Sequence, residues 1–518
     1  MEIPIIRKGE IPADPVAEDA LQGVPRQQTQ ASRWQGENWS AFVADLRVEG
    51  VEIEVEAARR GVYVSDAGGQ AYGLPHGVLV AESAHQLAAV LKAAQKHSVP
   101  VTTRGGGLTT EGESVAFGGL LIDMTGMREV LHVDKDQQTV RTQAGIYWHG
   151  LAEVLRRHDM DYYSAPLNMT SSVGGTLGVG GIDVNSPKWG CSADQALALQ
   201  VVTPTGEIVE CSETENTELF KRVILGYGQF GIITEATLKI RPYTPIRLHY
   251  FYYRSLREAV EDLQVLDQAQ VCDYTGILTM MDKAITLLVA FDSDERENEF
   301  LYHWRKRLRG YSEAFFGLQL AVHYLFRPWR YKELNYLIQR RRRLFPDLQP
   351  RHHIRNKKIY DRTVVFSRAV WKHWGHRNMV IPDLATNIDK FVEAVERGNA
   401  VCKKYFPFYT LYCVGIKLRE DHREHYELSC IPDDAEGWAY GCEFEPALED
   451  RCYSRDYLQS FKNEIYDIGV DIGASYYRFG GVMKGYIRRA LGDEVVEKHL
   501  AMKRQADPAM VLNRDVIF

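Results

Sequence analysis

Long apolar runs are missing from this 518-residue sequence. No uninterrupted stretch approaches the roughly 18 apolar residues of a membrane-spanning helix, so a bilayer-embedded chain is not expected. The beginning, MEIPIIRKGEIPADPVAEDALQG, has no apolar run behind a basic head. A secretory leader is therefore not expected, and the expected location is cytoplasmic. Cysteine is sparse: eight residues, at 191, 211, 272, 402, 413, 430, 442 and 452, without a CxxC pair or a zinc-site spacing. Reduced thiols fit that scatter better than a disulfide framework. Positive charge is not in excess, the formal net charge being −7, which argues against nucleic acid as the partner of the whole chain. Repeats and low-complexity tracts are absent, which excludes a solenoid. His352-His353 and the pair His373 and His376 lack a third nearby ligand, so no metal is expected.

What is present is an ordinary globular mixture, 45% hydrophobic and 25% charged, in a chain too long for one core. Residues 1–45, rich in Pro, Gln, Glu and Ala, read as an N-terminal arm, either mobile or laid over the surface. From Val78 the texture changes. Val78–Ala81 reads as a buried strand, His85–Lys96 has apolar residues at helical spacing, and Pro100–Thr103 is a second strand running into Arg104-Gly105-Gly106-Gly107. Further strands are expected at Gly119–Asp123, Thr139–Ala144, Ala196–Thr203 and Ile232–Ile240, with helices at Tyr147–Arg157 and Asn216–Ile224. After Pro242 aromatic strands (His249–Tyr253 and Leu278–Ala290) alternate with long charged helices, and near Gly480 the glycine-rich texture returns. The expected division is therefore 46–242, then 243–480, then a segment 481–518 folding back on the first unit.

Two glycine clusters carry the chemistry. The first is Thr103-Arg104-Gly105-Gly106-Gly107-Leu108-Thr109-Thr110. Successive glycines let backbone N–H groups converge on an anion such as a pyrophosphate, with the threonine hydroxyls beside it. Taken alone, the plainer reading is a tight turn. It is not the nicotinamide GxGxxG, because the spacing is wrong and no acidic residue follows for a ribose. The second cluster, Ser171–Gly181, packs five glycines into the eight residues from Gly174 to Gly181, a composition poor for helix or strand interiors. Two such clusters about 70 residues apart suit one large extended cofactor.

In order along the chain, HGVLVAESAHQLAAVLKAAQKHSVPVTTRGGGLTTEGES, GGLLIDMTGM, VRTQAGIYWHGLAEVL, SSVGGTLGVGGIDVNSPKWG and ALALQVVTPTGEIVECSETENTELFKRVILGYGQFGIITEATLKIRP resemble the FAD-binding domain of the vanillyl-alcohol-oxidase superfamily, the PCMH type. The likeness spans about Pro75–Pro242. It implies an α+β, two-domain PCMH-type FAD-binding fold with a separate α/β substrate domain, an antiparallel sheet covered by helices. It also implies FAD as cofactor. Arg104, Gly105, Gly106, Gly107, Leu108, Thr109 and Thr110 would cradle the pyrophosphate. Val173, Gly174, Gly175, Thr176, Gly178, Gly180 and Gly181 would run along the flavin, with Lys188 at its edge. Gly231, Ile232 and Ile233 would hold the adenine end. Many members tether the flavin to a histidine where this chain has Leu108, and a second class adds a cysteine where it has Ser171 and Ser172. Neither side chain here can form that bond, so the FAD is expected to be held non-covalently.

Three branches are similar. The cytokinin dehydrogenase family shares the VGGTL…GQFGIIT half, but its catalytic aspartate falls on Ala165–Met169, which holds no acid. The delta-24-sterol reductase family shares the untethered flavin and the stretch Gly181–Gly190. The decaprenylphosphoryl-ribose and alditol oxidase branch resembles the tail, Gly480–Lys484 and Met502–Pro508. Hydride transfer to a flavin calls for a base and for a positive group near N1 and the C2 carbonyl. Candidates in the returning segment are Tyr477, Arg478 and Lys484, with Tyr476 beside them. The expected reaction is oxidation of a CH–OH or CH–NH group in a mid-sized, partly apolar molecule. A C=C reductase and a flavoprotein with a non-redox cyclisation or lyase step are the alternatives.

An insert from His303 to Lys358 holds 15 Lys or Arg against three acids, with interleaved aromatics and a run of four arginines at 340–343. One reading is a solvated helix pair. The other is a surface for peripheral contact with anionic lipid, or for receiving an amphipathic or anionic small-molecule substrate.

Overall fold

The computed structural model describes residue 34 and residues 36–280, 284–312, 380–407, 409–426, 431–446, 453–478, 484–514 and 516. The insert beyond Ser312, and most of the N-terminal arm, lie outside the described residues.

The chain enters through a helix, α1 (Trp39–Val48), whose Phe42 and Leu46 are fully buried. This helix straddles the boundary expected at residue 45. It packs on α2 (Ala84–His97), which Ser83 caps by accepting from the Gln86 N–H at 3.2 Å. Around α2 lies a three-stranded parallel sheet, ordered β1 (Gly77–Val80), β3 (Leu120–Asp123), β2 (Val101–Arg104). A second sheet follows from β4 (Val130–Asp134) and β5 (Thr139–Gln143) through β9 (Ile232–Pro242) and β7 (Ala196–Val202) to β8 (Ile208–Ser212), with β6 (Met160–Tyr162) paired to β9. The helix α3 (Trp148–Arg157) covers it, burying Trp148, Leu151 and Leu155.

After Pro242 the chain builds a different sheet. It runs β13 (Tyr311–Ser312), β10 (Arg247–Tyr253), β12 (Ala284–Phe291), β11 (Tyr274–Met280), β15 (Tyr409–Lys417), β16 (Trp438–Pro446), β14 (Asp383–Thr386), with every pairing antiparallel. The stretch Leu278–Ala290, expected as one strand, is an antiparallel hairpin of β11 and β12. The charged pair Asp282-Lys283 between the two strands interrupts the apolar pattern, a break that the single-strand expectation passed over. One face of the sheet is covered by α5 (Leu256–Gln268), α6 (Ile388–Tyr405) and α7 (Arg455–Ile472), which bury Leu263, Phe391 and Phe461 against Ile277, Leu411 and Phe444. The other face turns toward the glycine-rich unit. This is a mixed α+β architecture with two sheet systems.

The final described segment crosses both. Lys484 begins a helix, α8 (Lys484–Leu491). The next helix, α9 (Asp493–Ala506), buries Val496 in the core of the antiparallel sheet and packs Met502 and Ala506 on the core around β9. Beyond it Leu512 bridges in parallel to Val101 at the start of β2. Among the described residues no helix is long and apolar enough to cross a membrane.

Candidate functional site

One cleft of about 2050 Å³, its open mouth included, runs between the two sheet systems. Its floor is the first glycine cluster. The Cβ positions of Gly105 and Gly106 point at the second cluster rather than into the cleft: a Cβ on Gly105 would strike Ser172, and one on Gly106 would lie 2.7 Å from the Thr170 carbonyl. Glycine is needed there so that the two clusters can close on each other. Gly107 adopts φ +65°, a left-handed conformation that favours glycine.

The loop is pinned from behind by Asp66, a residue the sequence reading missed. Its carboxylate accepts from the Gly112 N–H at 2.9 Å and from the Thr109 hydroxyl at 2.8 Å. Arg104 donates to the Ser65 carbonyl at 2.9 Å. Burial pushes the Asp66 carboxyl up to about 6. Burial, with Asp66 and Glu111 adding repulsion, pushes Glu113 up to about 8.

The second cluster does form a helix, α4 (Val173–Val179), against the expectation from its glycine content. Tertiary contacts override propensity here. Ser172 caps it by accepting from Gly175 N–H at 3.3 Å, Val173 and Leu177 are fully buried, and Trp148 Nε1 donates to the Thr176 hydroxyl at 2.9 Å. Tyr227 and Leu225 clasp the far end by donating to the Gly178 and Leu177 carbonyls.

Of the residues expected at the cofactor, Arg104, Gly105, Gly106, Gly107, Leu108, Thr109, Thr110, Gly174, Gly175, Thr176, Gly178, Gly181, Gly231, Ile232 and Ile233 line this cleft. Three do not. Val173 is core. Gly180 lies 3.6 Å, measured from where its Cβ would be, from the Tyr477 ring. Lys188, expected at a flavin edge, instead pairs with the buried Asp273, with Asp292 at 3.3 Å and the Trp189 ring 4.4 Å off. The tail also contributes: Asn513 lines the cleft, accepting from Thr103 N–H at 2.9 Å and donating to the Gly228 carbonyl at 2.8 Å.

The opposite end of the cleft is built by the antiparallel sheet. Leu278, Tyr412, Glu443 and Asp383 form one cross-strand row over β11, β15, β16 and β14. Arg478 docks on its end, 3.0 Å from Asp383 and 2.5 Å from Glu443. Burial alone would lower the Arg478 guanidinium, but Glu443 and Asp383 outweigh it and raise it, so it stays charged. Tyr477 lies beside it, its hydroxyl accepting from Gly181 N–H at 2.8 Å and its carbonyl from the Tyr227 hydroxyl at 2.9 Å. The structure thus brings Tyr477 and Arg478 to the cleft, whereas the Lys484 side chain lies outside the described residues. Tyr412, Glu443 and Asp383 had no sequence signal. They sit in ordinary strands more than 130 residues beyond the expected boundary near 243, and only the pairing register aligns them.

Two features fit the cleft to a dinucleotide. The Thr110 hydroxyl is buried at the cleft wall without a hydrogen-bond partner. A Cβ on Gly178 would meet nothing within 4 Å, so that wall is open to a flat ligand. The family model for an FAD binding domain matches residues 75–212. Residues 75–212 thus carry an FAD binding domain. FAD is its cofactor. Similar proteins include a D-lactate dehydrogenase of Anaerostipes hadrus, 33% identical over 174 residues, which are 32% of this chain and 37% of the relative. An uncharacterized oxidoreductase of the fasciation locus of Rhodococcoides fascians is 32% identical over 195 residues, 37% of this chain and 44% of that protein. Cytokinin dehydrogenase 5 of Arabidopsis thaliana is 34% identical over 205 residues, 37% of each chain. The likeness thus spans less than half the length of each of these relatives.

Proposed function

We propose that the protein is an FAD-dependent oxidoreductase that holds its FAD without a covalent bond and oxidises a CH–OH or CH–NH group of a mid-sized, partly apolar substrate. The carrying observation is the continuity of one cleft from the glycine loop to the polar row over the antiparallel sheet. Bound FAD would supply a hydride acceptor at its N5. The Gly105–Gly107 loop and the Thr110 hydroxyl would receive the pyrophosphate, the open wall at Gly178 the flat ring system, and Ile232 and Ile233 the adenine end. Arg478, held charged by Glu443 and Asp383, would stand as the fixed cation, and Tyr477 would fix the loop at Gly181. Leu108 lines the cleft, and no histidine or cysteine does so among the described residues, which supports the untethered flavin.

The test has two arms. Purified protein should be yellow, and acid should release all its flavin into the supernatant; flavin left in the precipitate would overturn the non-covalent reading. Anaerobic addition of candidate donors should bleach the flavin, with D-lactate and a cytokinin as first probes because two relatives are named for them. Product formed without bleaching would overturn the redox reading.

A further inference from the structure

Tyr412 lines the substrate end of the cleft and donates its hydroxyl to Asp183 Oδ1 at 2.9 Å. Asp183 is itself buried and does not line the cleft. It stands two residues past Gly181, whose N–H bonds the Tyr477 hydroxyl, so the loop that carries the glycines also delivers a carboxylate behind the sheet. Its backbone N–H is engaged by the Ser186 hydroxyl at 3.0 Å, which fixes the turn. Among the described residues the titratable groups facing it are Tyr412 from β15, Glu443 from β16 and Tyr162 from β6. Glu443 is committed to Arg478. The phenol oxygen of Tyr412, having donated its proton, still has lone pairs to offer.

We propose that Tyr412 and Asp183 form the proton relay of this site, Tyr412 taking the proton from the donor's hydroxyl or amine while passing its own to Asp183. This rests on the oxidoreductase reading above. In the step, the donor C–H bond breaks with its electron pair leaving to the flavin. The donor O–H or N–H bond breaks with its proton going to Tyr412 Oη, the Tyr412 O–H proton goes to Asp183 Oδ1, and a C=O or C=N bond forms. Asp183 later returns that proton to solvent. Tyr412 is the group that touches the donor, and Asp183 is the positioning residue that acts through it.

The surroundings suit the task. Burial pushes the Asp183 carboxyl up to about 7, while the Val184 N–H and the Tyr412 hydroxyl hold it down. A base poised near neutrality is the most effective proton acceptor at neutral pH. Glu443, although it lines the cleft, is spent in its ion pair with Arg478.

The experiment uses the full FAD-loaded chain and its variants Asp183→Asn and Tyr412→Phe, with flavin content as the check on folding. Infrared difference spectra should show a carboxylic-acid C=O band growing as pH falls through about 7. The band should vanish in Asp183→Asn. In Tyr412→Phe it should titrate at higher pH, because a hydrogen bond favouring the carboxylate is gone. Flavin bleaching by whichever of D-lactate or a cytokinin reduces the wild type should slow by about 10²–10⁴-fold in both variants, and the inflection near neutrality should disappear. If neither probe bleaches the wild type, the substrate reading fails while the infrared titration still decides the dyad. The absence of an Asp183-dependent band near neutral pH, or a bleaching pH profile unchanged in Tyr412→Phe, would overturn the relay.

Discussion

Gly105 and Gly178 lack a side chain for opposite reasons, and the difference is measurable. Gly105 meets Ser172 where its Cβ would be, whereas Gly178 faces empty space from within a helix. Gly178→Ala should therefore stabilise the apoprotein by about 0.5–1 kcal/mol through helix propensity, while weakening FAD at least tenfold by filling the cleft. Thermal melts of apoprotein and a flavin-fluorescence titration would read the two effects; undiminished FAD affinity would refute the placement of the ring system. A second residue sets a pH window. The Glu113 carboxyl rises from 4.5 unfolded to about 8 in the fold, chiefly through burial. Its contribution to stability is full below about pH 4.5 and is lost as pH rises through about 8, because the folded state then gives up a proton that burial favours keeping. An ionised Glu113 would also repel a pyrophosphate in the same cleft. Glu113→Gln should flatten the decline in both stability and FAD retention over that window, and an unchanged slope would show that another group is responsible. The glycines and threonines of the first loop were legible because their composition has few uses. Asp66 and Glu113 were not, because a buried acid looks like any surface acid until its neighbours are known.

At the scale of elements, strands and helices with steady periods were readable to within a few residues, as with β2, α3 and β7. Misreadings arose where tertiary contact overrules the local pattern. The helix α4 exists because Ser172 caps it and Trp148 grips Thr176; its glycines alone argue otherwise. The strands β11 and β12 were read as one because the apolar residues on both sides outweigh the short polar break Asp282-Lys283. The tail is a third case, since its function depends on a buried knot. Lys503 donates to Asp507 at 2.7 Å and to the Leu512 carbonyl at 2.8 Å, and Asp507 accepts from the Val511 and Leu512 N–H groups. This knot bends the chain so that Asn513 reaches Thr103. Asp507→Ala leaves the buried Lys503 with backbone carbonyls but no counter-ion, and should cost about 3–5 kcal/mol. Gel filtration should show flavin lost from the variant before the protein unfolds; flavin retained at wild-type level would mean the tail is not needed at the cleft.

Over the whole molecule, the glycine-rich unit and the antiparallel sheet are held together by a pair with no local trace in the sequence. Lys462 of α7 and Glu111, 351 residues apart, are both buried and ion-paired, with the Tyr466 hydroxyl also donating to Glu111 at 3.2 Å. Lys462→Met should destabilise by about 3–5 kcal/mol by stranding a buried carboxylate, whereas Lys462→Met with Glu111→Leu should recover most of it. Denaturant melts followed by flavin fluorescence and by far-ultraviolet dichroism should separate in the single variant and coincide in the double one. Coincident curves in both would mean that the two units are held by apolar packing alone. The contact between the two units was not legible in the sequence, since it depends on side chains hundreds of residues apart. The reach of Asn513 back to Thr103 across 410 residues also sets a clock. At about 5–20 residues per second, the ribosome makes the glycine loop roughly 20–80 s before the residue that closes over it. Cofactor capture thus waits on chain made long after the glycine loop, and a cell short of flavin would accumulate chains folded around an empty seat.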